Sequence, residues 1–142
     1  IFLTHSYMRE RTGALTDNEG YKIRPANWGK QIWEKLIQPL PNVDMVICGH
    51  TGKPGEFEDA TAYVKSKNAA GNTVHQMMFN VQILGGGWEG NGGDGWVRIL
   101  EFYPDGKTIH VKTYSPLFGI SPTTKEHAHR KGKLDDYKIT IE

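Results

Sequence analysis

Two histidines in this sequence stand where apolar runs give way to polar loops. Ile1-Phe2-Leu3-Thr4 leads into His5-Ser6, and Val46-Ile47-Cys48 leads into Gly49-His50-Thr51-Gly52. Neutral imidazole is the commonest protein metal ligand, so the chemistry this pair could do is to hold a divalent cation. Two imidazoles alone do not make a catalytic centre. Such sites take three or more protein ligands, and a two-metal phosphoester site needs bridging carboxylates that hold the ions about 3.5–4 Å apart. No Asp or Glu cluster of that spacing accompanies His5 and His50. The other histidines have ordinary explanations. His127 and His129 lie in a charged polar segment, His110 alternates with Ile109 and Val111 and so points away from a core, and His75 sits in a strand-like run where it could face either way.

The elements that must position the pair follow from periodicity. Ile1 to Leu3 is too short for a helix and reads as a buried strand. Residues 5–24 are polar, with Tyr7, Arg9, Arg11 and the cluster Thr16-Asp17-Asn18-Glu19-Gly20, the composition of an exposed loop. From Asn27, read as the N-cap, Trp28, Ile32, Trp33, Leu36 and Ile37 recur at helical spacing until Pro39 and Pro41 end the helix. Val43 to Cys48 is a second buried strand. Strand, helix, strand makes a βαβ-like unit, and in open α/β sheets ligands bind outside the carboxyl ends of the strands, where His5 and His50 fall. Further strands are expected over 62–66, 73–82, 96–103, 108–114 and 137–141. Asn68-Ala69-Ala70-Gly71-Asn72 and Pro104-Asp105-Gly106-Lys107 read as hairpin turns, and 121–136 as a polar loop.

Composition narrows the function classes. Seventeen Lys and Arg stand against 16 Asp and Glu, a net charge of +1 with no basic stripe, which gives no reason to expect nucleic acid or an anionic membrane as a partner. A mean hydropathy of -0.54 and the lack of a long apolar run point to a water-soluble domain without a spanning helix. Cys48 is the single cysteine and lies inside an apolar run, so it reads as a small buried hydrophobe. The glycines from Gly85 to Gly95 lack the Lys-Ser/Thr pair and following helix of a phosphate-binding loop, and read as a loop that carries Trp88. No Gly-x-Ser-x-Gly elbow marks a serine hydrolase. The chain opens on Ile1 inside a strand, so any targeting sequence is expected upstream; a soluble, secreted or periplasmic location stays open.

Several short motifs in one order carry a resemblance. Leu3-Thr4-His5-Ser6-Tyr7, an amphipathic helix, Val46-Ile47-Cys48-Gly49-His50, Gly71-Asn72-Thr73-Val74-His75-Gln76-Met77 with Gln82, Gly95-Trp96-Val97-Arg98-Ile99-Leu100 and Thr113-Tyr114-Ser115-Pro116 together resemble the second half of calcineurin-like metallophosphoesterases. The match spans residues 1–116, with 117–142 expected as a loop and a last edge strand. The resemblance implies an α/β fold: one partial domain over 1–142, the C-terminal half of a four-layer αββα sandwich, with a mixed β-sheet and few helices. In this family Asp-x-His, Gly-Asp-x-x-Asp and Gly-Asn-His-Asp/Glu precede a lone His and then Gly-His-x-His. This chain contains none of the first three.

By resemblance, His5 matches the lone metal-binding His and His50 the first His of the last motif, both serving one metal. The family's last His, which serves the other metal, falls at Gly52, which offers no side-chain ligand. The resemblance implies hydrolysis of a phosphomonoester or phosphodiester by the full-length protein, with a divalent metal pair of Mn, Fe or Zn. This chain alone is expected to hold one ion or none and to be inactive. Arg9 and Arg11 are expected to contact the substrate phosphate, and Tyr7 and Trp88 its leaving group. The alternative is a non-catalytic binding protein on the same scaffold. An isolated chain that opens in a central strand is also expected to pair with a second copy.

Overall fold

The computed structural model describes residues 1–19, 26–53, 55–82, 84 and 92–142. They form two compact units, Ile1–Asn80 and Val81–Glu142, with α/β structure, mixed sheet pairing and few helices.

In the first unit the short apolar runs become strands: β1 (Phe2–Leu3), β2 (Met45–Cys48), β3 (Thr61–Lys67) and β4 (Thr73–Phe79), in the sheet order β1-β2-β4-β3. β1, expected as a buried central strand, lies at the sheet edge with Leu3 exposed, because only one of its sides has a neighbour. β1 and β2 are parallel, as are β2 and β4, whereas β3 runs antiparallel to β4. Val74 through Met78 are all buried, as a strand covered on both faces requires. Asn68 closes the expected β3–β4 hairpin, its Oδ1 accepting from the amides of Ala70 at 3.0 Å and Asn72 at 2.9 Å.

The crossover from β1 to β2 carries α1 (Gly29–Ile32), which continues as a π-helical stretch through Ile37 and ends ahead of Pro39. Its first residue differs from the expected Asn27 cap. Trp28 is the N-cap, and the Gln31 side chain reaches back to the Trp28 amide at 2.7 Å. The next amides are satisfied from a distant residue: Gly29 donates to Thr16 Oγ1 and Lys30 to the Thr16 carbonyl. A Cβ on Gly29 would lie 1.8 Å from the Tyr7 carbonyl oxygen, so only glycine lets the helix start this close to the segment after His5. Tyr7, Met8, Ile37, Val46, Cys48, Ala62, Val74 and Met78 form the core. Burial pushes the Cys48 thiol up to about 12, consistent with a packing role.

The second unit is an antiparallel sheet of β5 (Val97–Phe102), β6 (Thr108–Tyr114), β7 (His129–Arg130) and β8 (Asp136–Thr140), with β7 and β8 both pairing with β6. Asp105 shapes the β5–β6 turn, accepting from the amides of Lys107 and Thr108. Along β6, Ile109, Val111 and Thr113 are buried, while His110 and Lys112 face Glu101 and Asp136. The segment 121–136, expected as a loop, holds a 3₁₀ turn (Lys125–His127) and β7. A strand this short leaves no periodicity to read; its pairing with the end of β6 creates it. Among the described residues no helix is long and apolar enough to cross a membrane.

Candidate metal centre

His5 and His50 come together because parallel neighbours end at the same edge of a sheet. Leu3 pairs with Ile47, Thr4 donates to the Ile47 carbonyl, and Gly49 donates to the His5 carbonyl at 3.0 Å. The ladder therefore runs one step beyond β1 and β2 and sets the two imidazoles side by side, with ring centroids 4.5 Å apart and planes tilted by 52°. His5 is exposed and His50 half-buried.

The backbone at His50 is left-handed, with φ of 68°, uncommon for a residue with a Cβ. Neighbours hold it there. Asn80 Nδ2 donates to the carbonyls of His50 at 2.7 Å and Thr51 at 3.2 Å, and Thr51 Oγ1 donates to the Met8 carbonyl at 2.8 Å. Such a conformation persists only where the surroundings over-determine it.

A carboxylate that the sequence did not single out belongs to this site. Glu19 Oε2 accepts from Ser6 Oγ at 2.7 Å and lies 3.3 Å from His50 Nε2, with the Glu19 side chain only 5% exposed. Its other oxygen, Oε1, is buried and has no hydrogen-bond partner among the described residues. The segment after His5 brings it there: rather than an open loop, it is a hairpin. Met8 pairs with Leu15, Arg9 donates to the Ala14 carbonyl, and Thr16 donates to the Tyr7 carbonyl. The left-handed residues Arg11 and Gly13 make its tip. The period-2 signal was too short to show in the sequence.

Imidazole nitrogen and carboxylate oxygen are donor types that suit Zn, Mn or Fe, and the Glu19 oxygen Oε1 is buried with no donor among the described residues. Among the described residues, however, no group of three or more His, Cys, Asp and Glu is assembled that could hold a metal ion, so His5, His50 and Glu19 do not by themselves make up a metal site.

The remaining expected site residues are placed differently. Tyr7 is fully buried, and its hydroxyl donates to Gln76 Oε1 at 2.5 Å while Gln76 Nε2 donates to Ser66 Oγ. It packs in the core, and its hydroxyl has the internal acceptor that a buried phenol needs. Arg11 lies at the hairpin tip, where its guanidinium is engaged by Asp59 and, at 3.4 Å, by Glu56. Arg9 is exposed. At Gly52, an added Cβ would meet the Asn80 carbonyl oxygen at 3.3 Å and that of Asp59 at 3.4 Å, so the backbone here is in close contact with its neighbours. Trp88 and Gly85 to Gly90 lie outside the described residues. Of the other histidines, His75 is buried against Tyr63, its Nδ1 2.7 Å from the hydroxyl, and His110 pairs with Asp136.

The uncharacterized protein YvnB of Bacillus subtilis (strain 168) is 36% identical to this chain over 118 residues, which is 80% of this chain and 8% of the relative. The chain thus spans 8% of the length of the curated relative it matches. No family model matches the sequence, and no solved structure matches it.

Proposed function

We propose that the full-length protein hydrolyses a phosphomonoester or phosphodiester with divalent metal, and that this chain contributes His5 and His50 as ligands of one ion. The observation that carries the reading is the pair of imidazoles at the carboxyl ends of adjacent parallel strands, with ring centroids 4.5 Å apart. The order of motifs shared with calcineurin-like metallophosphoesterases adds to it. On this reading the sheet β1-β2-β4-β3 belongs to the C-terminal half of an αββα sandwich, and carboxylates outside this chain complete a pair of Mn, Fe or Zn ions. A bound metal pair would supply an activated hydroxide and neutralise charge on the phosphoryl oxygens. Within this chain, His5 and His50 bind through neutral nitrogens, and Asn80 and Thr51 fix the loop that presents His50. Arg9, exposed on the same hairpin, would contact the substrate phosphate.

Metal analysis and isothermal titration of the full-length protein with Mn²⁺ and Zn²⁺ test the reading, together with phosphatase assays of His50→Ala. Stoichiometric binding and loss of most activity in the variant are expected. Absence of Mn, Fe and Zn binding, with unchanged activity in His50→Ala, refutes it.

Gly52 favours a second reading, a binding protein that keeps the scaffold without hydrolysis. Tight metal binding by a protein inert toward both ester classes would select it.

A further inference from the structure

We infer that a cavity in the second unit binds a neutral saccharide, which packs a ring face on Trp96 and Phe118 and hydrogen-bonds to a polar rim. The cavity measures about 430 Å³ and lies within residues 96–135, with Glu126, His127, His129 and Lys131 lining it beside the two aromatic residues. Small-molecule sites fall in this range, ~300–1,000 Å³. Several contacts hold the aromatic wall in place. Trp96 and Phe118 meet edge to face with centroids 5.4 Å apart. Ser115 ties together the segments that carry them, its Oγ accepting from the Phe118 amide at 3.2 Å and donating to the Asp94 carbonyl at 2.5 Å. The Arg130 guanidinium sits 5.8 Å from the Trp96 ring centroid, and its Nε donates to the buried Asp135 at 3.1 Å. Gly132 leaves Asp135 the room it needs, since an added Cβ would run into Oδ2.

Charge balance selects the ligand class. Arg130 and Lys131 in the lining stand against Glu126 and Asp135. Both cations are matched within the protein, Arg130 by Asp135 and Lys131 by Asp136 at 3.0 Å. An ionic ligand would give up its hydration and meet no net opposite charge, which costs more than it returns. A neutral polyol avoids that cost. Each of its hydroxyls both donates and accepts, which suits a rim that mixes carboxylate, imidazole and ammonium groups, and Glu126, His127, His129 and Lys131 are all exposed. The C–H face of a sugar ring is flat and apolar, and its burial against the half-buried Trp96 and Phe118 supplies the driving force. A wholly apolar ligand would instead cover the polar rim without satisfying it. Nothing in this site depends on a metal at His5 and His50.

Isothermal titration of the full-length protein with maltose, cellobiose, lactose and N,N′-diacetylchitobiose tests this, with inorganic phosphate as the charged control. At least one of the four sugars is expected to bind. Trp96→Ala should weaken that binding by about tenfold or more, because a large aromatic anchor carries much of the contact energy, whereas Trp96→Phe should keep most of it. The double variant Glu126→Ala/His127→Ala, at two exposed rim positions, should also weaken it, and gives the same reading if Trp96→Ala does not fold. Sugar sites elsewhere in the full-length protein are told apart by their indifference to these changes. Failure of all four sugars to bind overturns the inference, as does affinity within about twofold of wild type in the folded variants. Trp96-dependent binding of phosphate without any sugar would assign the cavity to anions and overturn it as well.

Discussion

Replacing Tyr7 by Phe separates a core role from a substrate role at one atom. The hydroxyl donates to Gln76 Oε1 at 2.5 Å, and the two residues are 0% and 1% exposed. Burial also pushes the phenol well above its ordinary range, so the group stays a neutral donor. In Tyr7→Phe the ring remains, and Gln76 keeps its bond to Ser66, yet Oε1 loses its donor where water does not reach. Leaving a buried acceptor unsatisfied costs about 1–3 kcal/mol, and the burial of both partners puts this case near ~2 kcal/mol. For a chain of this size that corresponds to a fall of about 6–10 °C in Tm. Thermal and urea unfolding followed by circular dichroism measure it. A double-mutant cycle with Gln76→Leu should show about 1 kcal/mol of coupling, because the two residues share the bond that is lost. An unchanged Tm with zero coupling refutes the reasoning. Lost activity at unchanged stability would return Tyr7 to the substrate.

Other perturbations follow from the same geometry. Asn80→Ala removes both bonds that hold His50 and Thr51 and, on the proposed reading of His50 as a ligand, should weaken Zn²⁺ binding by roughly tenfold in isothermal titration, since it frees the backbone that presents the ring; unchanged affinity would show that the left-handed turn supports itself. At Asp136, the His110 hydrogen bond first and Lys131 second hold the carboxyl at about 2, against about 3.9 in the unfolded chain. A depressed folded value stabilises above the unfolded value and loses that contribution as pH falls from about 4 toward 2. Asp136→Asn should therefore flatten, over that window, the fall of the urea midpoint with pH, leaving the part due to Asp105, which also titrates at about 2; an identical slope in the variant would count against the pair.

Much of the scaffold was legible because its signals are local. Leu3 and Cys48 end apolar runs, Pro39 cannot continue a helix, and Asn68 and Asp105 accept bonds from amides a few residues away. Each of these acts within one turn of chain, so the strands, the hairpins and the two strand-end histidines could be read in order.

The tertiary structure decided what depends on distant segments meeting. Thr16 caps a helix that begins 13 residues later, Tyr7 turns inward to find Gln76 69 positions away, and β7 exists only as a partner of β6. Glu19 shows the division most clearly. As a letter it is one acid in a polar cluster, and the hairpin after His5 folds it back to Ser6 and His50. The sequence alone determined that each of two imidazoles would stand at a strand end, because strand length and termination are local properties. Only the folded chain made those strands neighbours and set a buried carboxylate beside His50, because pairing and burial depend on which segments exclude water together.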